Sequence, residues 1–151
     1  MSTSSPKKTP VLVISGPNLN MLGKRDASHY GKGTLEDLGK MLAEAFPDFE
    51  FTFFHSNHEG EIIDKIHHHV ETNDLGALIY NMGGFTHTSV AIHDALELLK
   101  IPKIEVHLSN IHAREEFRHK SVTAAAADGV IAGFGPESYI LAAEALRKRL
   151  S

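Results

Sequence analysis

The sequence predicts one α/β domain, a three-layer sandwich in which a parallel five-stranded sheet carries helices on both faces. Two observations carry the prediction. Five short apolar segments alternate along the chain with segments of helical periodicity. The first and third of these, VLVIS (11–15) and GALIYNM (76–82), are continuous apolar runs, the pattern of strands buried on both faces.

The elements follow in order. VLVIS is the first strand and ends in the turn-forming GPN. Thr34 is placed to cap a helix through LEDLGKMLAEAF, where Leu35, Leu38, Met41, Leu42 and Ala45 share a face and Pro47 stops the run. FEFTFFHS (49–56) is a second strand, and GEIIDKIHHHVE (60–71) a helix with Ile62, Ile63, Ile66 and Val70 on one face. GALIYNM then returns as the third strand. TSVAIHDALELL (88–99) is helical behind a Thr or Ser cap, and Pro102 precedes the fourth strand, KIEVHLS (103–109). DGVIAGFG (128–135) supplies the fifth strand. The last helix, PESYILAAEALRKRL, has Pro136 in its first turn and Arg147, Lys148 and Arg149 at its negative end. With no repeat, linker or low-complexity tract, residues 11–151 form one catalytic-sized domain behind a disordered polar tail at 1–10.

Composition removes several function classes. A net charge of −4 argues against a general nucleic-acid partner, which would need a basic excess. The absence of cysteine excludes disulfides and thiolate chemistry and suits a reducing cytoplasm, the expected location. No apolar run reaches the roughly 18 residues that span a membrane, and MSTSSPKKTP has no apolar core of the signal-peptide kind. Eleven histidines are the one compositional oddity.

In open parallel sheets, ligands bind beyond the carboxyl ends of the strands, where strand order reverses. Here those ends read SGPNLNMLG, YNMGGFTHTS and EVHLSNIHAREEFR, dense in Asn18, Asn20, Asn81, Thr86, His87, His107, Ser109, Asn110, Arg114 and Arg118. Neither a G-x-G-x-x-G nor a G-x-x-x-x-G-K-[ST] pattern follows the first strand, so nucleotide cradles have little support, and the Asn and Ser side chains suit a polyhydroxylated ligand. In KIEVHLS, Glu105, His107 and Ser109 alternate with apolar residues and share a face. A carboxylate beside an imidazole raises its proton affinity and fixes its tautomer, as a general acid near neutral pH requires. The competing reading is a half-exposed strand with a polar outer face. GGFTH offers close backbone approach followed by a helix start that favours an anion, with Thr86, Thr88 and Ser89 serving equally as caps or ligand contacts.

Other chemistries lack their residues. No H-E-x-x-H occurs, and HHH at 67–69 reads as a solvated helical face with diverging rings, so no protein-bound metal is expected. No G-x-S-x-G elbow supports acyl chemistry. Lys24 and Lys103 are the lysines nearest these segments, and Lys103 begins its strand at the end away from the expected site, which disfavours a Schiff base.

GPNLNMLGKRDASHYG, NMGGFTHTSVAIHDAL and IEVHLSNIHAREEFRHKS, in this order, resemble the type II 3-dehydroquinases (3-dehydroquinate dehydratases) of the shikimate pathway, over essentially the whole chain after the tail. The resemblance implies a flavodoxin-like fold, no cofactor or metal, and a homododecamer built from trimers, serving chorismate and aromatic amino acid biosynthesis. It implies a hydro-lyase that eliminates water in anti fashion from 3-dehydroquinate, giving 3-dehydroshikimate through an enolate. By motif position Tyr30 is the base with Arg25 beside it, His107 the acid held by Glu105, and Asn18 the residue that positions a water at the enolate. The same resemblance assigns Asn81, His87, Ser109, Arg118 and the Leu108 backbone to substrate hydroxyls and carboxylate, and sends Asp94 to a neighbouring subunit's site. A tyrosine with pKa about 10 needs help to act as a base at pH 7, and a neighbouring arginine favours the phenolate.

Four departures from the family pattern stand out. Asp26-Ala27 replaces Glu-Pro, which predicts a more flexible flap; Met82 replaces a small residue and is expected to crowd the pocket; Val122 replaces an aromatic; and TAAAA (123–127) replaces a more varied segment. The alternative from another class is a non-catalytic flavodoxin-like module for a flavin or phosphorylated ligand. Its receiver-type form needs acids ending the first strand, and SGPNLN supplies none.

Overall fold

The computed structural model describes residues 6–30 and 33–151, the side chain of Tyr30 excepted. Five strands, β1 (Thr9–Ser15), β2 (Phe49–His55), β3 (Ala77–Asn81), β4 (Lys103–His107) and β5 (Gly129–Ala132), pair in parallel in the order β2-β1-β3-β4-β5. That order reverses direction between β1 and β3, the crevice at which doubly wound sheets bind ligands. Strand β1 begins at Thr9, so Thr9 and Pro10 belong to the sheet and not to the tail expected over 1–10. The helices are α1 (Ala27–Tyr30), α2 (Leu35–Ala45), α3 (Glu59–Thr72), α4 (Val90–Leu98) and α5 (Glu137–Leu150).

Strand alternation divides the core in two. Val11, Val13, Ala77, Ile79, Ile104 and Val106 face α2 and α5, whereas Leu12, Ile14, Leu78 and Tyr80 face α3 and α4. Each fully buried aliphatic side chain, such as Leu42 or Ile66, contributes about 1.5–3 kcal/mol through burial. Thr34 caps α2 in a reciprocal box: its hydroxyl accepts from the Asp37 N–H at 3.2 Å, and its N–H donates to the Asp37 carboxylate at 3.1 Å. Ser89, and not Thr88, caps α4 by accepting from the Ile92 N–H.

Two sequence expectations are corrected here. Met82 is fully buried among Leu12, Ile14 and Ile92 on the α3–α4 side, so it fills core and does not crowd the crevice. His69 is buried, and its Nδ1 lies 2.7 Å from Asp74, while the His68 ring stands edge-on to it at 4.9 Å. The histidine run is therefore part core contact, and only part solvated face.

The ends of β1 and β3 are clamped together by the Gly16 N–H, which donates to the Asn81 carbonyl at 2.8 Å. A Cβ on Gly16 would lie 2.3 Å from the Met82 carbonyl oxygen, a contact with backbone that cannot swing aside. Gly16→Ala should therefore destabilise the fold by about 1–3 kcal/mol, the usual cost of overpacking. Urea unfolding measures it, and a change below about 0.5 kcal/mol would show that the two strand ends are free to part.

Candidate active site

The cleft at the β1–β3 crevice has a volume of about 120 Å³ and is lined by the three strand-end segments. Pro17, Asn18 and Leu19 come from the turn beyond β1; Asn81, Gly83, Gly84 and His87 from β3 and the 3₁₀ turn after it; His107, Leu108, Ser109, Ile111, Arg114 and Arg118 from β4 and the turns beyond. Arg25 reaches the cleft from the segment before α1. Eight of the sequence-predicted site residues thus meet in one cavity: Asn18, Arg25, Asn81, His87, His107, Leu108, Ser109 and Arg118.

Local chemistry sets each position. Asn18 has a left-handed backbone with φ 71°, a conformation asparagine tolerates, and its N–H donates to the Asn57 side chain at 2.9 Å. Gly83, at φ +57°, lets the chain turn directly after β3, and its N–H donates to Asn81 Oδ1 at 3.1 Å. Arg114 donates to Ser109 Oγ at 3.3 Å, and Arg118 to Glu115 at 3.1 Å. Arg114 was legible as one of the polar residues beyond β4, but the motif resemblance gave it no role. Asn20, Thr86 and Asn110, from the same polar segments, do not line the cleft.

Glu105 is fully buried behind His107, whose Nε2 lies 3.0 Å from Glu105 Oε2. Every residue of β4 is buried, so the half-exposed polar face considered above is excluded. Donation of the Nε2 proton to the carboxylate leaves Nδ1 as the ring nitrogen available to a ligand.

His87 is half-buried, and its Nδ1 lies 2.8 Å from the Lys120 carbonyl. Burial pushes its pKa below the ordinary value, and the charges of His107 and Arg118 act in the same direction, against the Lys120 carbonyl and Glu105.

Asp94 and the histidine run of α3 stand outside the cleft. Asp94 is exposed on α4 and bonds to the neighbouring His93 at 3.1 Å. Tyr30 ends α1, but its side chain lies outside the described residues, as do Gly31 and Lys32. The one group among the described residues with metal-ligand spacing, His68, His69 and Asp74, sits where α3 leads into β3, at the opposite end of the sheet. Asp26 caps α1: its carboxylate accepts from the Ser28 N–H at 2.9 Å and hydroxyl at 2.7 Å.

Residues 9–147 match the family model described as Dehydroquinase class II. The chain belongs to this family. It is 57% identical over 142 residues to the 3-dehydroquinate dehydratase of Caldicellulosiruptor bescii, covering 93% of this chain and 97% of the relative. It is 54% identical over 142 residues to that of Thermotoga petrophila, covering 93% and 96%. Among solved structures, a type II dehydroquinase from Butyrivibrio crossotus superposes with a TM-score of 0.88 at 45% identity, covering 93% of this chain and 98% of that one. The class II dehydroquinase fold thus accounts for the five-stranded sheet and its strand order.

Because the folded-state pKa of His87 is depressed, the unfolded chain takes up that proton first as pH falls, and the stabilisation is lost below the ordinary value. The His87 ring should titrate below about 6.5 by NMR in the ligand-free protein. A midpoint at or above that value would contradict the burial seen here.

Proposed function

We propose that this class II dehydroquinase converts 3-dehydroquinate to 3-dehydroshikimate by anti elimination of water, as a hydro-lyase of the shikimate pathway that works without a Schiff base. The observation that carries the reading is the buried Glu105–His107 pair opening onto a cleft lined by Arg25, Arg114, Arg118 and His87. An anionic, hydroxylated ligand suits that lining, and a proton donor sits within it.

In the proposed reaction a base removes the proton beside the ketone, and the electron pair moves onto the carbonyl oxygen as an enolate. The enolate then expels the hydroxyl, which leaves as water with a proton from His107. His107 is assigned as this acid: as the imidazolium it gives up its Nδ1 proton, while Glu105 keeps the Nε2 proton in place. Tyr30 is assigned as the base, with Arg25 favouring its phenolate, and Asn18 as the residue that holds a water at the enolate. Asn81, His87, Ser109, Arg118 and the Leu108 backbone are assigned to substrate hydroxyls and carboxylate.

The tyrosine inventory supports the base. Tyr80 and Tyr139 are fully buried; burial pushes the Tyr139 hydroxyl up to about 12 and the Tyr80 hydroxyl higher still, so neither ionises usefully. Tyr30 is the remaining tyrosine, in the segment next to the cleft. The lysines support elimination without an imine. Burial holds Lys103 below the usual lysine range, as a Schiff-base lysine needs, but it begins β4 at the far end of the sheet and donates to the Leu99 carbonyl.

The reading extends to a homo-oligomer, a dodecamer built from trimers, in the cytoplasm. Val90 and Leu98 leave exposed apolar surface on α4 around Asp94, in keeping with a neighbouring subunit on that face. No helix among the described residues is long and apolar enough to cross a membrane.

Purified protein without added metal or nucleotide should generate conjugated-enone absorbance from 3-dehydroquinate, and a flat trace from folded protein rejects the reading. Tyr30→Phe should lower kcat by at least about 10²-fold while leaving ligand affinity nearly unchanged; undiminished turnover would remove Tyr30 from the role of base.

Asp94→Ala should lower kcat/KM about tenfold, the worth of one charged hydrogen bond. After subunit exchange, mixing Asp94→Ala with Tyr30→Phe chains should restore activity, since some sites then draw Tyr30 and Asp94 from intact chains. No recovery from demonstrably mixed oligomers would show that Asp94 does not act across subunits.

A further inference from the structure

The Glu105 carboxylate has more partners than the proposed acid. Thr123 donates its hydroxyl to Oε1 in a short hydrogen bond, and the Ser121 hydroxyl lies 2.9 Å from Oε2 and 3.2 Å from Oε1. With the His107 N–H, this makes three donors converging on a group that only accepts, which is what an ionised carboxylate offers. Both hydroxyls are themselves placed. Ser121 Oγ accepts from the Ala124 N–H at 2.9 Å, which directs its own proton to Glu105. Thr123 is fully buried, and its carbonyl accepts from the Tyr80 hydroxyl at 2.7 Å.

The same short segment also holds the other side of the cleft. The Lys120 carbonyl lies 2.8 Å from His87 Nδ1, and the Val122 N–H donates to the Thr86 carbonyl at 2.7 Å. Residues 120–123 therefore tie the turn beyond β3 to the carboxylate of β4 through four consecutive residues.

We propose that Thr123, assisted by Ser121, is a positioning residue for the reaction: the two hydroxyls hold Glu105 in the rotamer that takes the His107 Nε2 proton, so that Nδ1 faces the substrate. Neither residue reaches the cleft, so neither touches substrate. The effect travels through the carboxylate to the imidazole. A carboxylate with one donor removed turns toward its remaining partners, and a displaced imidazole loses part of the roughly 10²–10⁴-fold that a placed acid contributes. This inference rests on the dehydratase reading above.

The test is Thr123→Val, which keeps volume and branching while removing the hydroxyl, with Thr123→Ser as the conservative partner and Ser121→Ala as a second variant. Thr123→Val should lower kcat by tenfold or more with KM within about twofold, and Thr123→Ser should restore most of the loss. Ser121→Ala should lower kcat less, because Thr123 remains. In ¹⁵N spectra of the neutral form of His107, the form left after it has given up its Nδ1 proton, the wild type should carry the remaining proton on Nε2, and Thr123→Val should show a mixture of tautomers. A Thr123→Val protein with wild-type kcat and an unchanged His107 spectrum overturns the inference. So does a loss that the serine variant fails to rescue and that tracks lowered thermal stability, which marks a packing role. If Thr123→Val does not fold, the His107 spectrum of the Ser121→Ala protein carries the test: some admixture of the second tautomer is expected, and a wild-type spectrum overturns the inference. Absence of enone formation by the wild type, in contrast, overturns the dehydratase reading itself.

Discussion

A carboxylate with no exposure to solvent lies in the middle of the sheet, and the arrangement beyond β4 follows from keeping it satisfied. Burying an ionised group costs several kcal/mol unless donors replace the lost water. Glu105 obtains them from His107 two residues along its own strand and from Ser121 and Thr123 in a segment 16 to 18 residues later. The donors come from both near and far in sequence, so the carboxylate fixes where the chain must return after leaving β4. The return passes beneath the turn beyond β3 and bonds to it at Thr86 and His87. One electrostatic requirement thereby closes one wall of the cleft.

The strands, the four long helices and the neighbourhood of Glu105 and His107 were legible in the sequence because each rests on a local period. Continuous apolar runs mark buried parallel strands, and alternation in KIEVHLS puts two polar groups on one face whatever lies beyond it. What covers that face was not legible. The alternation alone suited solvent as well as a buried pair, and the decision came from Thr123 and Ser121, whose contacts with Glu105 no local pattern encodes. Met82 failed for a related reason. Its position before two glycines suggested the crevice, but it lies in register with the α3–α4 face, where Leu12 and Ile14 pack. His69 failed because helical periodicity predicts only which face a ring leaves from, and its partner Asp74 lies beyond the helix end.

The segment between β1 and α2 shows a compensation. Loss of a proline there enlarges the conformational freedom of the unfolded segment, so a looser flap was the natural expectation. Yet aspartate is a better helix N-cap than glutamate, because its shorter side chain folds back onto the N–H groups of the first turn. Asp26 does so, and bonds to Ser28 hold its carboxyl below the usual range. The aspartate thus starts α1 without a proline at its first helical position, a residue that would also have suited a helix start. Order at this position comes from a hydrogen bond and not from a ring.

Charge distribution supplies the remaining step. The chain as a whole carries −4, yet three arginines line the cleft, and among the described residues that line it none is acidic. The acids that lie nearby are committed elsewhere: Glu105 is enclosed behind His107, Glu115 pairs with Arg118, and Asp26 caps α1. Local positive potential in a low-dielectric cleft draws an anion in against the net charge of the protein. In the proposed elimination the same field favours a base that starts as a phenolate and the enolate charge that replaces it, because the donors are already oriented before the ligand arrives. An acidic protein can therefore present a cationic site without a basic surface, provided its carboxylates near the site are each held by a partner of their own.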